Sequence, residues 1–125
     1  MIEYPSKADT PRSHLPFSPV TKVGNLLFVS GQASVDAQGK IVSDSFEGEM
    51  RRSLENLRKV LEDAGSSLAL VAQTRNYVRD AADTVEFNRL YREYFSEPFP
   101  ARTTITNCLP PTLKYEIECV AVVVP

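Results

Sequence analysis

A single histidine, two cysteines and no long apolar run set the first limits on this chain of 125 residues. One histidine supplies neither a pair for acid–base cleavage nor a metal cluster, and His14 lies in a proline-rich stretch that reads as solvated. Cys108 and Cys119 lack metal-ligand spacing, which argues against zinc and reads as two reduced thiols packed as small hydrophobes. No segment approaches the roughly 20 apolar residues of a membrane-spanning helix. The N-terminal MIEYPSKADTPRSHLPFSP has no apolar core of a secretion signal, so the expected compartment is the cytoplasm. Basic excess is missing too: 14 Lys and Arg face 16 Asp and Glu, and the net charge of −2 argues against nucleic acid or a membrane surface as partner.

What is present suits one globular domain over 1–125, with 42% apolar and 24% charged residues. Pro5, Pro11 and Pro16 make residues 1–16 an extended arm, and Pro19 follows just beyond it. VTKVG and LLFVSG read as strands meeting at Gly24 and Asn25, and DAQGK as a second turn before a short extended piece around Ile41. From Asp44 the period changes to about 3.6, with Phe46, Met50, Leu54, Leu57, Leu61 and Ala64 on one stripe. Asp44 and Glu47 have capping-box spacing, Gly65 is placed to end the helix, and Glu55 with Lys59 forms an i,i+4 pair on the solvated face. LVAQTRNYVRD reads as a strand. A second helix starts near Asp83 and Glu86, carries Phe87, Leu90, Tyr91, Tyr94 and Phe95, and stops before Pro98. ARTTITNC and LKYEIECVAVVV then read as a hairpin turned at Pro110 and Pro111. The expected class is α+β, a mixed sheet with two helices on one face.

Alternation along the last strand puts Leu113, Tyr115, Ile117, Cys119, Ala121 and Val123 on one face, and Lys114, Glu116, Glu118, Val120, Val122 and Val124 on the other. Two helices cover only one face, so the valines opposite call for a second subunit. In a hairpin of even register, Arg102, Thr104 and Thr106 share a face with Glu116 and Glu118. Two roles fit that placement. One is an interfacial ion pair; the other is a cleft where Arg102 grips a carboxylate in its planar fork and a glutamate moves protons.

SGQ at residues 30–32 after GNLLFV, SLENLRKVLEDAG, FNRLYREYF, and PAR followed by KYEIE, in this order and spacing, resemble the RidA/YjgF family of reactive-intermediate deaminases. The likeness covers residues 16–124 and implies a chorismate-mutase-like fold, a homotrimer with clefts between subunits, and hydrolysis of 2-imino or enamine carboxylates to 2-keto acids and ammonia. It implies no metal and no organic cofactor, and a small carboxylated imine or keto acid as ligand. By position, Arg102 matches the arginine that holds the substrate carboxylate, and Glu116 the residue that orients the attacking water. Whether Glu116 or Glu118 lies nearer Arg102 rests on the resemblance, since parity does not fix the register. Asn88 and Gly31 border the family's cleft, although Gly31 also reads as a turn residue at a strand end. Thr104 stands where the family commonly has cysteine, and Leu15, Pro16 and Phe17 where it has Gly-Pro-Tyr. These departures point to another substrate or weakened activity. The alternatives are a non-catalytic metabolite-binding or regulatory trimer and an endoribonuclease or translation inhibitor of the L-PSP type.

Overall fold

The computed structural model describes residues 1–124. Six strands form one sheet: β1 (Ile2–Glu3), β2 (Val20–Val23), β3 (Leu26–Ala33), β4 (Val71–Val78), β5 (Ala101–Thr106) and β6 (Tyr115–Val122). Helix α1 (Phe46–Asp63) follows β3, and α2 (Thr84–Tyr94) follows β4. The strand order is β1-β2-β3-β6-β4-β5, and every neighbouring pair is antiparallel except β4 with β5. The expected mixed sheet with two helices is present; two of its connections differ from expectation. The arm begins with a short strand paired to β2, and the piece around Ile41 contributes only a bridge to Val35.

The larger correction concerns the last two strands. They are not a hairpin, because β4 lies between them. A strand leaving a helix that packs on the sheet returns parallel to the strand before that helix, so β4-α2-β5 closes as one crossover unit. The chain then crosses Asn107–Thr112, with Asn107 and Leu109 at φ of 59° and 80°, and β6 enters antiparallel to both β3 and β4. Alternation within each strand carries no information about which neighbour it chooses.

Local capping explains where α1 starts. Ser45, not Asp44, is the N-cap, and its hydroxyl accepts from the Gly48 amide at 3.1 Å. Glu49, rather than Glu47, reaches back to the Asp44 amide at 3.1 Å. Buried Glu49 also takes the Lys114 amide at 3.0 Å and the Lys114 ammonium at 3.1 Å, tying the first turn of α1 to the entry of β6. Gly65 adopts φ of 86° just past the end of the helix, as expected. On the solvated face Glu55 pairs with Arg58 instead of Lys59, which is taken by Asp63 and Asp9. Cys119 is buried as expected, but Cys108 is only half-buried.

The core sits between the helices and one face of the sheet, with Leu54, Leu57, Leu61, Phe87 and Leu90 against Leu27, Tyr115, Ile117 and Ala121. The alternation expected for β6 holds: Tyr115, Ile117, Cys119 and Ala121 are buried, and Glu116, Glu118, Val120 and Val122 are half-buried on the other side. That other side carries Leu26, Phe28 and Ile105, each more than 40% exposed.

Candidate functional site

Two groups of expected site residues form two separate constellations. The first is built on the sheet edge. Arg102 lies on β5 opposite Thr74, which in turn lies opposite Cys119, so its side chain is on the helix side of the sheet. The guanidinium stands 5.0 Å from the Phe87 ring centre and 4.9 Å from that of Tyr91, and donates to Asn88 Oδ1 at 2.8 Å. Spacing on α2 explains this: Phe87, Asn88 and Tyr91 fall on adjacent turns of one face. Stacking and one amide bond fix the plane of the guanidinium while leaving most of its donors free.

Beneath it runs a buried polar chain. The Tyr115 hydroxyl donates to Asn76 Oδ1 at 2.5 Å, Asn76 donates to the Thr74 hydroxyl at 3.0 Å, and Thr74 shares a 2.7 Å hydrogen bond with the Tyr91 hydroxyl. Burial raises the pKa of both phenols and keeps them protonated. Thr104, two residues along β5 on the same side as Arg102, has a buried hydroxyl with no partner. A pocket of about 210 Å³ opens here, lined by Asn88, Tyr91, Arg92, Phe99, Pro100 and Arg102.

The second constellation lies on the opposite face. The pairing of β3 with β6 shifts between Val29 and Gln32, so Ser30 and Gly31 together oppose one residue of β6. Gly31 is thus a bulge residue inside the strand, not a turn at its end. The missing side chain matters, because the Glu116 carboxyl group packs where a Cβ would lie. Burial first, and the neighbouring charge of Glu118 second, raise the pKa of Glu116. Glu118 accepts from the Tyr77 hydroxyl and from Arg75 at 3.4 Å; among the described residues Glu116 has no cation within ion-pair reach. Of the two glutamates, Glu116 is the one left unoccupied.

Arg102 and Glu116 therefore do not share a face within one chain. Glu116 lies opposite Tyr77, which lies opposite Ile105, whereas Arg102 aligns with Thr74 and Cys119. The shared face expected from a hairpin fails for the same reason the hairpin does: the inserted strand changes the register. Two strand spacings, roughly 10 Å, also separate β5 from β6. Phe17, half-exposed in the arm, lines a groove of about 550 Å³ with Leu15, His14, Gly31 and Asp36. It thus accompanies the Gly31 side of the molecule, away from Arg102. Phe87 and Tyr91 are core, as expected, but the sequence reading missed that their rings also support Arg102; a polar Asn88 between them was the available signal.

The family model described as endoribonuclease L-PSP matches residues 7–123. A RutC family protein of Pyrococcus abyssi is 38% identical over 108 residues, covering 85% of each chain. The chloroplastic Reactive Intermediate Deaminase A of Arabidopsis thaliana is 36% identical over 121 residues, 95% of this chain and 65% of that one.

The chain belongs to the RidA/YjgF family.

Among solved structures, Escherichia coli TdcF with bound serine superposes with a TM-score of 0.83 at 29% identity, over 96% of this chain and 98% of that chain. The match spans nearly the whole fold. No helix among the described residues is long and apolar enough to cross a membrane.

Proposed function

We propose that this protein hydrolyses small 2-imino or enamine carboxylates to 2-keto acids and ammonia, at clefts formed between copies of a cytoplasmic homotrimer, without metal or organic cofactor. The observation that carries the reading is a pair of unemployed charges on opposite faces: among the described residues, Arg102 has no carboxylate partner and Glu116 no cation. Each is half of a hydrolytic site, and a second copy seated on the apolar open face joins one half to the other. A bound serine in TdcF supports a ligand of amino-acid size.

The chemistry needs little more. Arg102 clasps the substrate carboxylate, with the Thr104 hydroxyl free to donate to it. Water attacks the imine carbon, already electrophilic in its protonated form, and Glu116 accepts the water's proton. The resulting carbinolamine expels ammonia and leaves the ketone. Gly31 borders the path of that water, and Phe17 closes the arm side. The net charge of −2 gives the ribonuclease reading no comparable support.

The test is complementation. With imino acids generated in situ, Arg102→Ala and Glu116→Gln are each expected to be inactive, while the two co-expressed regain activity, because a mixed ring contains one cleft with both groups intact. Wild-type protein that accelerates ammonia release from no imino acid overturns the enzymatic reading. Keto-acid binding without turnover then favours the metabolite-binding trimer.

A further inference from the structure

The Arg102 pocket holds a second guanidinium. Arg92 lines it together with Arg102, and both are tied to one residue: Arg102 donates to Asn88 Oδ1 at 2.8 Å and Arg92 to the Asn88 carbonyl at 3.3 Å. Like charges lining one small pocket repel unless an anion or solvent separates them. The helices carry five arginines, and Arg51, Arg52, Arg58 and Arg89 each have a carboxylate within ion-pair reach. Of these five, Arg92 alone has no carboxylate within ion-pair reach among the described residues, although Glu93 is its neighbour in sequence; that carboxylate is taken by Arg51 and Arg89. A place in the last turn of α2 accounts for a cation there, but not for its facing the pocket unpaired.

Besides Asn88, the rest of the lining is Tyr91, Phe99 and Pro100, an apolar surface beside the two cations. Its volume of about 210 Å³ falls below the range of about 300–1,000 Å³ typical for drug-sized ligands, so it suits a short metabolite. We infer that the preferred ligand is a dicarboxylate: Arg102 holds the carboxylate beside the reacting carbon, the methylene chain lies on the aromatic and proline surface, and Arg92 receives the side-chain carboxylate. The favoured imino acids are then those of acidic amino acids, and the reaction that supplies them oxidises or eliminates on a dicarboxylic amino acid. This inference rests on the proposed function only in treating the Arg102 pocket as a carboxylate receptor.

Calorimetry on the full-length protein with 2-oxoglutarate and 2-oxopentanoate, matched in chain length and differing by one carboxylate, tests it. The wild type is expected to bind 2-oxoglutarate about tenfold more tightly, the effect of one added charged hydrogen bond. Arg92→Gln is expected to weaken 2-oxoglutarate alone and erase the gap. Equal affinities in the wild type, or a gap that survives Arg92→Gln, overturn the inference. If 2-oxopentanoate binds and Arg102→Ala abolishes that binding, the receptor stands and only the second carboxylate falls. If neither acid binds, the receptor reading falls with it.

Discussion

A methyl group placed on Gly31 would sit 2.9 Å from Glu116 Cδ, within the space its carboxyl group fills. The bulge in β3 and the unpaired glutamate of β6 are therefore one feature. Glycine is required there by proximity, since its φ is not in the left-handed region. The clash meets the flexible end of a side chain, so Gly31→Ala is expected to fold with a melting temperature near the wild type. A carboxylate displaced by about 1 Å is expected to cost turnover about 100-fold. Calorimetric melting beside an ammonia-release assay separates the two effects.

Glu116 carries a pKa raised by burial and by Glu118, and the sign of the consequence is definite. The folded state holds this proton more tightly than the unfolded chain, so stability falls as pH rises from the ordinary carboxylate value through the raised one. Glu116→Gln is expected to melt higher than the wild type at neutral pH. The difference should vanish at acid pH, where both side chains are neutral. In the wild type, turnover is expected to fall as pH drops through the same raised value, because the proton acceptor is then filled.

Tyr91 supports Arg102 with its ring and the buried chain with its hydroxyl. Tyr91→Phe keeps the ring, and is expected to cost about 1 kcal/mol of stability with keto-acid affinity little changed. Tyr91→Leu removes the stacking, and is expected to weaken carboxylate binding by a further amount that denaturant melts do not report. Comparing binding constants for the two variants at matched fraction folded provides the check.

Among the described residues Lys114 is the only cation on the buried Glu49 carboxylate. Lys114→Met leaves Glu49 with two backbone amides and no counter-charge, a defect of about 3 kcal/mol by the usual cost of breaking such a pair. Urea unfolding measures it directly. Because Lys114 opens β6 two residues before Glu116, turnover is expected to fall as well.

Much of this was legible from alternation and period. Strand parity on β6 separated Tyr115, Ile117 and Cys119 from Glu116, Glu118 and the valines, and burial divides them in that way. The stripe of α1 was equally clear, since a period near 3.6 with six apolar members has one reading. What parity does not encode is adjacency. β5 and β6 alternate like partners, yet the crossover through α2 commits β5 to β4 and admits β6 beside β3. The same blindness hid the division of Arg102 from Glu116, and the second role of the core rings Phe87 and Tyr91 under Arg102. Gly31 reads in the sequence as a turn at a strand end, although a glycine within a strand pattern also signals a bulge or a close approach, and here it marks both.

The sheet that keeps Arg102 and Glu116 apart also acts as insulation. Under the proposed chemistry a newly synthesised copy carries only disconnected parts, and it stays inert toward imines until sister copies dock on its bare side. Dilution becomes an off-state of its own, and catalytic output should climb more steeply than protein concentration wherever assembly is incomplete.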